Sequence, residues 1–344
     1  MSRPIWVPSN ERINNSLMHK FMQKGPKVFD SYFELHKWSV EHMESFWSQF
    51  WEFSNIKYSK NYDSILENPV MPGAKWFSGS ELNYAENLLN GDPNQVAIIS
   101  LGEDKPAKSI TFQELNQKVS SVQKGLVSLG VKKDTIVAGF VPNCVETVII
   151  MLAVSSLGGI WTSCSPDFGA KGVVDRFGQV NPHILITSNG YSYNGKLFNL
   201  EEKVNGVLDE IDSIRHIIEI EYIDLKSKFN HNSVISFSKL LDNEIAYPKF
   251  EQLPFDHPLY IMYSSGTTGP PKSIIHGAGG TLIQHMKEHQ LHCDVQRGKS
   301  KMFWFTTCGW MMWNWLVSGL SSGATIVLYD GSPSYPNLDK LWKM

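Results

Sequence analysis

The sequence predicts an α/β fold in which a largely parallel sheet is covered by helices, and three observations carry that expectation. From Val96 onward, short apolar runs alternate with longer amphipathic stretches, the order in which strands and crossover helices follow one another. The chain has 344 residues, of which 42% are hydrophobic and 19% charged, enough apolar material for a large core and too much for a disordered chain. The first 90 residues instead carry aromatic side chains at helical spacing. The expected division is a helical N-terminal extension over residues 1–90 and an α/β domain over residues 91–344.

Taken in order, Trp38, Phe46, Trp47, Phe50, Trp51 and Phe53 repeat near three-and-four spacing, the stripe of a helix packed on the main domain. Residues 96–100, 136–141, 160–163 and 183–187 read as strands, separated by helices at 112–129, 146–157 and 169–180. Residues 196–250 are more polar, with 214–220 their clearest strand. The alternation resumes with strands at 259–263 and 273–276 and a helix from about Gly280. Strands at 302–305 and 325–328 follow, with a helix between them. Asn337 is the expected cap of a further helix, so that the chain is expected to end inside an element. No charged side chain lies between Lys301 and Asp330. A membrane span is considered there and set aside, because Gly309, Asn314, Gly319 and Gly323 punctuate the stretch.

Net charge is −3 and the longest Lys/Arg run is a pair, which argues against a nucleic-acid partner. Cys144, Cys164, Cys293 and Cys308 lack the spacing of a zinc knuckle or redox pair and are expected as reduced thiols. The first residues carry neither a secretory nor an organellar pattern, so the cytosol is the expected location.

The strongest signal is Tyr263-Ser264-Ser265-Gly266-Thr267-Thr268-Gly269-Pro270-Pro271-Lys272. Hydroxyls at four positions, two glycines that let backbone N–H groups turn inward, and a terminal lysine are the means of enclosing polyphosphate oxygens. The loop is expected between strands. A Walker-type loop is excluded, since that needs Gly directly before the Lys and a helix directly after it. Here Pro270 and Pro271 remove two donors, and residues 273–276 read as a strand.

This string resembles the signature loop of the adenylate-forming superfamily of acyl-CoA synthetases, luciferases and peptide-synthetase adenylation domains. Ile110-Thr111-Phe112-Gln113-Glu114-Leu115, Pro142-Asn143 with Glu146, and Leu157-Gly158-Gly159-Ile160-Trp161 with Ser165-Pro166 resemble further motifs of that superfamily, in the same order. Pro72-Gly73-Ala74-Lys75-Trp76-Phe77 and Leu82-Asn83-Tyr84-Ala85-Glu86-Asn87 are similar to the extension of its short-chain members. The resemblance implies the N-terminal domain of an adenylate-forming enzyme, incomplete at its C-terminus. It implies ATP-dependent ligation of a short acid such as acetoacetate to CoA, with Mg²⁺ assisting. Ser264, Ser265, Gly266, Thr267, Thr268, Gly269 and Lys272 would bind ATP phosphates, and Lys272 would act in catalysis. Trp310 and Trp313 would close the acyl pocket, offering bulk and an indole N–H to a keto oxygen, or else would simply fill the core. The superfamily's adenine, ribose and hinge motifs lie further downstream, so this chain alone is expected to be inactive.

Two rival readings stand beside this one. His285, Glu288 and His289 match an H-x-x-E-H zinc-hydrolase arrangement, against the plainer alternative of a solvated helix face. A chain that binds a nucleotide or a partner and performs no chemistry is the other.

Overall fold

The computed structural model describes residues 5–25, 27–103, 105–242, 245–264 and 269–344. Apolar β-branched runs form its two larger sheets, beside three two-stranded ones among the described residues. In the larger, seven strands lie in the order Val234–Ser236, His216–Ile220, Ile184–Ser188, Ile136–Phe140, Ile160–Cys164, Pro258–Ser264, Lys272–Gly277. All neighbours are parallel except the last pair. In the smaller, Lys301–Phe303, Thr325–Asp330 and Val96–Gly102 are parallel, and Lys108–Thr111 closes the edge antiparallel. The mostly parallel architecture is therefore as expected, split over two sheets.

Helix placement follows from local chemistry. Thr111 caps Phe112–Ser128 in a capping box, its hydroxyl accepting from Glu114 N while the Glu114 carboxylate accepts from Thr111 N. Val145–Ser156 is apolar around its circumference, and every residue but Glu146 is buried. Gly139 is needed where the Trp161 ring crosses the sheet, since a Cβ there would stand 2.6 Å from that ring.

Four expectations need correction. The aromatic stripe is two helices, Tyr32–Glu41 and Met43–Ser54, because His42 leaves helical geometry at φ −130°, ψ 57°. The strand expected to reach residue 305 stops at Phe303. Asn337 caps nothing, and only a short 3-10 turn, Lys340–Lys343, follows Asp339. Local periodicity also missed the helix Glu201–Leu208 and the hairpin Gly190–Tyr193 with Lys196–Asn199. The uncharged stretch holds a strand, the helix Met311–Ser318 and a strand, and among the described residues no helix is long and apolar enough to cross a membrane.

Candidate active site

The strands Pro258–Ser264 and Lys272–Gly277 pair antiparallel with Ser264 directly opposite Lys272. The first hydroxyl of the motif and its terminal cation thus face each other across the two stems of the loop. Gly269 is exposed with open space where a Cβ would stand, and Lys272 is exposed. Ser265, Gly266, Thr267 and Thr268 lie outside the described residues.

Side chains that no motif pointed to hold these stems. Gln179 donates from Nε2 to the Pro271 carbonyl at 2.8 Å and accepts at Oε1 from Ser273 Oγ at 2.8 Å. The Arg176 guanidinium lies 4.7 Å from the Phe168 ring centre and 5.9 Å from that of Tyr263. A positive charge is therefore placed beside the residue that precedes Ser264. Burial pushes the Tyr263 phenol above its usual range, so it stays neutral, and it accepts from Thr162 Oγ1 at 3.1 Å.

The C-terminal edges of the two sheets meet next to the loop, where open parallel sheets bind ligands. Asn143 joins them. Its N–H donates to Asp330 Oδ1 at 3.1 Å, its Nδ2 to the carbonyls of Thr306 and Tyr329 at 3.4 and 3.3 Å, and its Oδ1 accepts from Trp313 Nε1 at 2.9 Å. Ser163 Oγ donates to the Cys308 carbonyl at 2.7 Å, and the Cys308 thiol to the Pro142 carbonyl at 3.4 Å. The segment between Phe303 and Met311 is thereby fixed from both sheets. Pro142-Asn143 is legible as a motif but not as this junction, since every hydrogen-bond partner of Asn143 is distant along the chain.

The two tryptophans of the expected acyl pocket part company. Trp313 is 0% exposed and its N–H is engaged by Asn143, so it offers bulk and no free donor. Trp310 is 65% exposed at the start of the helix Met311–Ser318. The H-x-x-E-H group is not a solvated face: His285 and His289 are buried, and the helix continues as a π-turn over Glu288–His292. Glu288 accepts from Gln284 Nε2 and Trp315 Nε1, both at 2.9 Å, and His285 Nδ1 lies 2.8 Å from Ser318 Oγ. Among the described residues no group of three or more His, Cys, Asp or Glu could hold a metal. Mg²⁺ is typically bound by one or two carboxylates together with substrate phosphates. A Mg²⁺ ion arriving with ATP would take most of its ligands from phosphates and water, so it requires no such group on the protein.

Comparison with known proteins extends this geometry. The family described as AMP-binding enzyme matches residues 86–344, and the acetyl-coenzyme A synthetase N-terminus matches residues 32–88. Acetoacetyl-CoA synthetase from Xenopus tropicalis is 41% identical across 100% of this chain and 53% of its own length. Acetoacetyl-coenzyme A synthetase from Rhizobium meliloti is 42% identical across 97% of this chain and 52% of its own. The solved acetoacetyl-CoA synthetase from Streptomyces lividans superposes with a TM-score of 0.95 at 39% identity, covering 99% of this chain and 53% of that structure. The chain thus spans about half the length of the relatives it matches.

Proposed function

The chain belongs to the AMP-binding enzyme family, and from that membership we propose that it supplies the phosphate-holding part of a ligase joining acetoacetate to CoA at the expense of ATP. A carboxylate is a poor acyl donor. In this reading its oxygen attacks the α-phosphorus of ATP, the bond to the bridging oxygen breaks, and pyrophosphate departs with the electron pair. CoA thiolate then attacks the acyl carbon and AMP leaves. The first step spreads negative charge over the departing phosphates, and charge stabilisation with positioning is what this chain's residues supply.

The observation that carries the proposal is the pairing of Ser264 with Lys272 at the stems of a hydroxyl- and glycine-rich loop. Lys272 neutralises phosphate charge, and the hydroxyls of Ser264, Ser265, Thr267 and Thr268 and the amides of Gly266 and Gly269 donate to phosphate oxygens. Arg176 adds positive potential from the neighbouring helix. Trp313 forms the pocket wall by bulk, while the exposed Trp310 has the indole N–H left to reach a keto oxygen. The named relatives support acetoacetate as the acid. The test is acetoacetate-dependent exchange of labelled pyrophosphate into ATP by the protein that carries this chain. Lys272→Ala should cost roughly 1–3 kcal/mol in kcat/KM, the scale of a charge-assisted hydrogen bond. Exchange at the wild-type rate in a folded Lys272→Ala variant would remove Lys272 from the reaction.

A further inference from the structure

A cavity of about 540 Å³ lies where the helices Leu17–Gln23 and Met43–Ser54 meet the π-turn Glu288–His292 and the segments around Arg297 and Ser322. Among the described residues Lys20, Lys24 and Arg297 line it, and no Asp or Glu does. In a chain of net charge −3, three cations line one concavity; the Asp294 carboxylate beside it accepts from Leu17 N and Gln296 Nε2, and the surplus of cations makes the local potential positive. Among the described residues neither Lys20 nor Lys24 takes part in a salt bridge.

The floor holds one fixed cation and one unpartnered hydroxyl. Arg297 is fixed by donating from Nη1 to the Asn90 carbonyl and from Nη2 to the Ser321 carbonyl, both at 2.8 Å. Gly323 permits this, since a Cβ there would stand 2.5 Å from Arg297 Cγ. Ser322 is 3% exposed, lines the same cavity, and its hydroxyl has no partner in the structure. A buried hydroxyl without a partner costs on the order of 1–3 kcal/mol, a cost that a bound acceptor removes. Gln290 adds an amide from the π-turn, an irregularity frequent at functional sites. Phe53 and Val295 supply apolar wall.

We propose that this cavity is a second anion site, distinct from the 264–272 loop, that takes a phosphate group between Lys20, Lys24, Arg297 and the Ser322 hydroxyl. The source of the phosphate is either the free ion or an organic phosphate whose remaining part lies against Phe53 and Val295.

Lysine acetylation footprinting read by mass spectrometry tests it, with inorganic phosphate against chloride at equal ionic strength. Phosphate should slow labelling of Lys20 and Lys24 several-fold and leave the exposed Lys37 unchanged. AMP should protect the same two lysines at roughly tenfold lower concentration if an organic phosphate is the ligand, and at no lower concentration if the free ion is. Labelling of Lys20 and Lys24 at the chloride rate, at millimolar phosphate in folded protein, overturns the proposal. Protection of Lys272 is read in the same spectra and reports on the loop, so failure of one site is told apart from failure of the other. Ser322→Ala gives a second check: it should reduce the protection of Lys20 and Lys24 and leave that of Lys272, and undiminished protection in this variant would remove the hydroxyl from the site.

Discussion

At the scale of single residues, the engaged or free state of particular polar atoms decides what each side chain can do. At the seam of the two sheets Asn143 engages its N–H and both polar atoms of its side chain, so Asn143→Ala keeps the N–H bond to Asp330 but removes the side-chain bonds to Trp313 Nε1 and to the carbonyls of Thr306 and Tyr329. Loss of a buried partner costs about 1–3 kcal/mol, and urea unfolding should show a loss of that size. An unchanged midpoint would mean that the junction does not support the fold. Trp313 tests the acyl pocket differently. If its ring limits acid length, Trp313→Ala in the ligase should raise activity on longer acids relative to acetoacetate, at about 1–3 kcal/mol per methylene. An unchanged profile in a folded variant would make the ring core packing alone. The sequence made the loop legible because all its chemistry is contiguous. Arg176, Gln179 and Asn143 were not legible as site residues, because their partners are brought together only by the sheet order.

At the scale of elements, the helix Ala278–Lys287, its π-turn continuation Glu288–His292 and the helix Met311–Ser318 bury two imidazoles that the sequence offered as metal ligands or a solvated face. Burial, reinforced by a neighbouring histidine in each case, lowers His285 to about 4 and His289 to about 3. An unfolded histidine titrates near 6.5, so below that pH the unfolded chain binds protons that the folded chain refuses. This contribution is present above about pH 6.5 and is lost as pH falls towards 4. Asp330 acts in the opposite sense: burial raises its carboxyl to about 6, so its contribution falls as pH rises from about 4 to 6. Two imidazoles outweigh one carboxyl, and urea stability should decrease between pH 6.5 and 4. His289→Phe should reduce that slope by about one proton, or about 1.4 kcal/mol per pH unit. A slope unchanged in the variant would show that His289 takes up its proton equally in the folded and unfolded chain. The strands and helices themselves were legible because hydrophobic period decides them. The break at His42 and the antiparallel partner strands were not, since a backbone departure and a pairing choice leave no trace in periodicity.

At the scale of the whole molecule, two sheets with their C-terminal edges brought together hold the paired stems of the 264–272 loop beside a segment fixed from both sides. The parallel character was readable from the alternation of runs, whereas the division into two sheets was not, because Val96–Gly102 pairs with Thr325–Asp330, more than two hundred residues away. The central claim is that the 264–272 loop holds the nucleotide's phosphates through Lys272. Calorimetric titration of ATP into this chain and into its Lys272→Ala variant measures that directly. The account predicts binding weakened roughly 5–150-fold by the substitution, equivalent to about 1–3 kcal/mol; equal affinity in two equally folded proteins would contradict it.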